Sequence, residues 1–208
     1  MSTTFSDKSF WNEYYAKKRA GDNPLVDTES SFARYCQQFF TSSTERIIDL
    51  ACGNGRDSKF FASQGHNVTS VDLSESAIAS LQGMNGISAH VADLGALPDS
   101  LGPVDVAYSR FSFHSIPTET QDKLLRWCLK NVNQFLCIET RSINDPRCGK
   151  GTPGPDPDSW VDTHYRRFLE LNKFTQHLKS MGFSIVSAGE DFHSANYKSD
   201  KAVVLRIV

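Results

Sequence analysis

Ile47-Ile48-Asp49-Leu50-Ala51-Cys52-Gly53-Asn54-Gly55-Arg56-Asp57-Ser58 is the stretch that decides the fold. An apolar run, a glycine turn and a polar segment predict a short buried strand, a tight loop and the first turn of a helix. Gly53 and Gly55 permit backbone conformations closed to other residues and let a ligand come close. In an open α/β sheet, the crevice beyond the carboxyl end of such a strand is where ligands bind. A dinucleotide fingerprint would put a pyrophosphate on the helix N-terminus. Here the turn lies between Asp49 and Asp57, which disfavour a pyrophosphate and suit an ammonium or sulfonium group. Asp57 has a second reading, as a first-turn acid complementing the helix dipole.

From residue 46 onward, strand and helix patterns alternate, which predicts a parallel sheet with helices on both faces. Strands are expected at 46–50, 67–71, 87–91, 104–108 and 134–139, with helices over 57–64, from Ser74 through Leu81, and over 118–131. Residues 168–181 read as a helix ended by Gly182. Two strands, 183–191 and 202–208, follow with too short a link for a crossover helix, which favours an antiparallel pair. Before the first strand, 5–19 and 30–40 read as helices separated by Gly21-Asp22-Asn23-Pro24. They precede the βα repeat and are expected to cap the crevice. Trp11, Tyr14 and Tyr15 on the first of these are packing residues or reach the substrate. Residues 141–165 are a long connection whose Gly149–Pro157 centre is expected to form neither helix nor strand. A loop of that length at the carboxyl end of a strand is expected to be a functional lid.

Composition narrows the class. A chain of 208 residues suits one domain, with a cap over 1–44 and a core over 45–208. A net charge of −2 supplies no broad positive field for nucleic acid. Five cysteines without regular spacing fit a reduced, cytoplasmic protein, and none has zinc spacing, so no metal is expected. No apolar run approaches membrane-spanning length, and the N-terminal residues lack the apolar core of a signal peptide. The partner expected is a small molecule, with no nucleic acid and no membrane, for a monomer or homodimer.

Asp72 closes the second strand, where an acid can accept hydrogen bonds from ribose hydroxyls. Asp93 closes the third, in His90-Val91-Ala92-Asp93-Leu94. After the fourth strand comes Tyr108-Ser109-Arg110-Phe111-Ser112-Phe113-His114-Ser115-Ile116. Arg141, Lys150, His164, Tyr165, Arg166 and Arg167 surround the long connection, a local excess of cations in a negative chain. The arginine fork suits carboxylate or phosphate-type anions, which points to an anionic substrate. The other reading is that Arg166 or Arg167 pairs with Glu139, Asp162 or another local acid.

Asp49-Leu50-Ala51-Cys52-Gly53-Asn54-Gly55-Arg56-Asp57 resembles the first motif of the class I S-adenosylmethionine (SAM) methyltransferases, with Ala51 where the pattern usually has glycine. The resemblance implies a Rossmann-like α/β sheet of order 3-2-1-4-5-7-6 with strand 7 antiparallel. It implies SAM as cofactor and S-adenosylhomocysteine (SAH) as product. It places Asp49, Ala51, Gly53, Asn54 and Gly55 around the methionine moiety, with Asp72 and Leu73 at the ribose. Ala92, Asp93 and Leu94 are placed at the adenine, and Ser109 and Arg110 beside the donor. Together with Trp11-Asn12-Glu13-Tyr14-Tyr15 and His164-Tyr165-Arg166-Arg167-Phe168, the chain is similar to bacterial small-molecule methyltransferases, including those of surface-polysaccharide loci and the phosphonate O-methyltransferases. That likeness implies a tyrosine of the cap (Tyr14 or Tyr15), His114 and an arginine (Arg166 or Arg167) around the acceptor. The acceptor expected is an oxygen of a phosphonate, phosphoramidate-like or carboxylate group. Methylation of a thiol, amine, tellurite or sugar hydroxyl stays open, as does a SAM-binding protein without catalysis. Methylation of RNA or DNA is disfavoured, because no amino-methylation motif follows the fourth strand.

Overall fold

A computed structural model describes residues 8–19, 27–191 and 202–208. The helices are α1 (Lys8–Arg19), α2 (Ser31–Gln37), α3 (Arg56–Ser63), α4 (Glu75–Ile78), α5 (Thr118–Asn131) and α6 (Leu171–Met181). The strands are β1 (Arg46–Leu50), β2 (Asn67–Asp72), β3 (Ile87–Val91), β4 (Val104–Arg110) and β5 (Val132–Arg141), then the short β6 (Thr152–Pro153), β7 (Ser159–Val161) and β8 (Tyr165–Arg167), then β9 (Ala188–Asp191) and β10 (Val204–Ile207). The expected start of the first helix at Phe5, the Gly21–Pro24 break and most of the link between β9 and β10 lie outside the described residues.

The main sheet runs β3-β2-β1-β4-β5-β10-β9. Its first five strands are parallel, and β10 is antiparallel to both neighbours. This is the order and direction that the motif resemblance implies. β1 is the middle one of the five parallel strands, and Ile47, Ile48 and Leu50 are wholly buried, as a parallel strand covered on both faces requires. On one face Ile48, Leu50 and Ile138 pack with Leu124, Leu125, Phe174 and Leu178 of α5 and α6. On the other, Ile47 and Tyr108 pack with Phe32 and Phe61 of α2 and α3. With the core on both faces, the functional groups collect at the carboxyl ends of β1 to β5.

Local chemistry explains the boundaries. Ser30 caps α2 by accepting the Ala33 N–H at 3.0 Å. Glu170 caps α6 through the N–H groups of Asn172 and Lys173, so that helix starts at Leu171 rather than Phe168. Gly182 ends it in the left-handed region, φ +111°. The expectation of no regular structure in the long connection is corrected in part. β6, β7 and β8 form a small antiparallel sheet. Pro153 is accommodated in β6 because that strand is an edge, where a missing N–H costs little.

Candidate active site

The donor side is built by the β1 turn. Ala51, Gly53 and Gly55 all take positive φ, at 59°, 58° and 69°, so the chain coils tightly beyond the strand. Ala51 does so despite its Cβ, which explains why the related motif prefers glycine there. A Cβ on Gly53 would run into the Tyr15 ring, with Cζ at 3.0 Å. The first helix therefore lies directly over the turn, and Tyr15 rather than Tyr14 faces it. Tyr14 instead packs among aromatic rings, 5.2 Å from Tyr15 and 5.7 Å from Trp11. Asn12 fastens the cap by accepting from Ser74 Oγ at 2.9 Å and the Ser76 N–H at 3.3 Å.

Asp49 is 3% exposed and accepts from Ser58 Oγ at 2.5 Å, which in turn receives Ser70 Oγ at 2.8 Å. Burial, with smaller help from the charges of Asp57 and Asp72, pushes its carboxyl up to about 7 against the Ser58 hydrogen bond. Asp72 accepts the Gly53 N–H at 2.9 Å and the Ser74 N–H at 2.8 Å through its two oxygens. Burial raises its pKa despite these bonds. Two buried acids crowded around one glycine turn favour a cationic ligand, so the residues present fit a sulfonium donor. Leu73 follows Asp72, and Asn54 lies in the turn itself, both half-buried. Asp57 is a structural anchor for the cap, because it accepts from Ser30 N–H, Ser30 Oγ and Tyr108 Oη at 2.7–2.9 Å.

At the end of β3, Asp93 caps a short turn through the Gly95 N–H at 2.8 Å. Ala92 and Asp93 line a cavity of about 610 Å³ together with Val91, Ala96, Pro98 and Leu101. Leu94 is buried in the core beside them. Ser109, one residue before the end of β4, sets its hydroxyl against Ser112 Oγ, both buried.

The acceptor side is a cluster of nitrogen groups. His114 is 5% exposed and its Nδ1 has no hydrogen-bond partner among the described residues. Burial holds its pKa well below the ordinary value, and the charges of Arg141, His164, Arg166 and Arg110 add to that. His164 stands between the cap rings, 4.9 Å from Phe10 and 5.1 Å from Trp11. Burial, then Arg166, brings its pKa down to about 4. Arg166 Nη2 approaches His164 Nδ1 at 3.3 Å, and its Nη1 pairs with Asp162, which also lies 3.8 Å from Arg147. Arg141 pairs with Asp145 at 2.7 Å. Arg110 pairs with Glu139 at 2.8 Å.

Strand alternation separates the neighbours of Arg166. Tyr165 and Arg167 point the other way: Tyr165 Oη donates to Asp156 at 2.9 Å, and Arg167 donates to Thr118 Oγ1 at 2.9 Å and to Gln121. Arg167 holds the small sheet to α5 and Tyr165 braces the connection at Asp156, which corrects their placement at the substrate. Lys150 is exposed on a turn and stands outside the cluster. The structure thus brings together His114, His164, Arg141, Arg166 and Arg110, with Tyr15 across the donor turn. Phe111, which the sequence reading passes over, lies among them with φ +57°. No residue-type signal marks that conformation in a phenylalanine.

Residues 47–134 match the sequence profile of a family described as a methyltransferase domain. A thiopurine S-methyltransferase of Photobacterium profundum is 23% identical over 182 residues, spanning 79% of this chain and 83% of that protein. The CcbJ methyltransferase of Streptomyces caelestis superposes with a TM-score of 0.71 at 13% identity, over 97% of this chain and 98% of that one. The glycopeptide N-methyltransferase MtfA, in complex with (S)-adenosyl-L-methionine, gives 0.63 at 16% identity over 87% of each chain. At such identities the two structures establish the shared fold.

Proposed function

We propose that the chain is a class I SAM-dependent methyltransferase and that it methylates a small anionic acceptor, at an oxygen of a phosphonate, phosphoramidate-like or carboxylate group. The observation that carries this reading is His114: a buried, neutral imidazole with an unpartnered Nδ1, set among Arg110, Arg141 and Arg166. A buried polar atom without a partner is uncommon and calls for one. A cluster of guanidinium groups around it favours a partner with negative charge.

Bound SAM supplies a methyl group on a positively charged sulfur, open to in-line displacement. Asp49 and Asp72 hold that positive charge, and Tyr15 with α1 covers the turn. Arg166 and Arg141 orient the acceptor anion, and His114 hydrogen-bonds the attacking oxygen. An already ionised oxygen needs no base, so alignment and exclusion of water supply most of the acceleration. For a protonated acceptor, neutral His114 takes the proton as the O–C bond forms. The net charge of −2 disfavours nucleic acid as a partner, and five free cysteines favour a reducing, cytoplasmic setting.

The test compares turnover of an alkylphosphonate with that of a neutral alcohol of similar size, in the native enzyme and in Arg166→Ala. The anion is expected to be preferred at least about tenfold, a difference of about 1.4 kcal/mol, and Arg166→Ala to raise its KM by a similar factor. Equal use of the alcohol, or an unchanged KM, would overturn the reading.

A second acceptor class is favoured by one observation. Phe10 and Trp11 flank His164, which offers an aromatic wall, and the Photobacterium relative is named for thiopurines. A heteroaryl thiolate is also anionic, and a heteroaryl thiol in the same assay separates the two: S-methylation outpacing the phosphonate would establish it.

A further inference from the structure

Phe111 follows the last residue of β4 and holds φ +57°. For a bulky side chain this left-handed conformation is strained. It persists because the surroundings over-determine it. The Phe111 N–H donates to the Glu139 carbonyl at 2.8 Å. Two guanidinium groups lie over its ring, Arg110 Cζ at 4.4 Å and Arg141 Cζ at 5.4 Å from the centroid.

Neither arginine is free to swing. Glu139, 1% exposed, takes Arg110 Nε on one oxygen and Arg206 Nε on the other, each at 2.8 Å. Arg141 is held by buried Asp145 at 2.7 Å. The His114 ring meets the Phe111 ring edge-on, with centroids 5.5 Å apart and planes at 87°. One aromatic ring therefore touches three of the groups that face the acceptor cluster. Ring faces attract cations and ring edges meet other rings, so a phenyl group holds all three in direction where an aliphatic one would only fill space.

We infer that Phe111 is a positioning residue of the acceptor site, whose ring sets the orientation of His114 and holds the Arg110 and Arg141 guanidinium groups towards the bound anion. The inference rests on the proposed acceptor site. It assigns to Phe111 the preorganisation that lets fixed charges act without reorganising during transfer.

Three variants test it. Glycine adopts φ +57° without strain, so Phe111→Gly removes the ring and keeps the backbone path. Phe111→Leu keeps bulk but loses the ring face, and Phe111→Trp restores it. Acceptor KM is expected to rise about tenfold in the Gly and Leu variants, as expected for lost cation–π contacts. Affinity for SAH is expected to stay within about twofold, with acceptor KM in Phe111→Trp close to native. A second readout needs no acceptor: NMR titration of His114 in the SAH-saturated enzyme. Loss of the ring admits water, so His114 is expected to protonate at higher pH in the Gly and Leu variants and as in the native enzyme in Phe111→Trp. A Leu variant that matches the native enzyme in both readouts would reduce Phe111 to a space filler. SAH affinity falling as far as acceptor affinity would assign it to the fold instead. Should no anion be turned over by the native enzyme, the function reading fails, while the titration still decides the role of Phe111.

Discussion

Asp49 shows how one side chain trades stability for binding. Its carboxyl is buried beside Asp57 and Asp72, and its folded pKa is raised to about 7, against about 3.9 for an unfolded chain. A raised folded pKa means that the ionised form strains the fold at pH above 7, and the strain is relieved as pH falls through that value. Asp49→Asn is therefore expected to raise Tm at pH 8, by up to about 4 kcal/mol of stability, with the gain shrinking towards pH 5. The same substitution is expected to weaken SAM, whose sulfonium needs the charge, far more than SAH. In the native enzyme, SAM affinity is expected to fall about tenfold between pH 8 and pH 6 as the carboxyl protonates, while SAH affinity stays nearly level. Calorimetric titration of both ligands across that range checks this, and parallel curves for the two would rule it out.

At the scale of elements, β8 turns a sequence ambiguity into two distinct jobs. Arg166 and Arg167 are adjacent and chemically identical, and a period of two sends them to opposite faces. Arg167 is 6% exposed and ties the small sheet to Thr118 and Gln121 of α5. Arg167→Ala is expected to cost about 1–3 kcal/mol of stability by leaving buried groups unpaired, with acceptor KM nearly unchanged. Arg166→Ala is expected to do the reverse. Urea unfolding and steady-state kinetics on both variants separate the roles, and matched losses in both would refute the assignment. The helix α1 is a comparable case. Asn12 fastens it through Ser74 close to Asp72, Tyr15 covers the glycine turn, and Phe10 with Trp11 meets His164. One short helix thus touches the donor and acceptor sides together.

Across the whole molecule, burial gives histidines and acids opposite pH signatures. His66, His114 and His164 all have lowered pKa values because burial penalises the charged form. The folded state refuses protons that the unfolded chain accepts, so their stabilisation is present above about pH 6.5 and is lost as pH falls towards about 4, the value for His164. Asp49 and Asp72 act in the other direction over the same range, because their folded pKa values are raised. The balance is resolved by comparing native enzyme with His164→Gln in thermal melts from pH 7 to pH 4. The variant is expected to lose less Tm over that interval, and identical slopes would contradict this.

The glycine turn and the acids at the strand ends were legible in the residues because their determinants are local. A strand, a glycine turn and acids at successive strand ends need only the positions of β1, β2 and β3, and those follow from apolar runs and turn residues. The order of the sheet followed from the motif resemblance, since hydrophobic periodicity says nothing about which strands lie side by side. The acceptor half was legible only as a list of candidates. Which of Arg166 and Arg167 faces the crevice depends on the pairing register of β7 and β8. Which tyrosine reaches Gly53 depends on how α1 is rotated over the sheet. That Lys150 stands apart, and that Phe111 is gripped at a left-handed turn, depend on side chains from β4, β5 and the small sheet meeting in space. Sequence alone determined the fold class and marked the glycine turn with its strand-end acids, because apolar runs and turn residues define each βα unit locally. Only the tertiary structure decided the acceptor cluster, because its members are brought together by long-range packing.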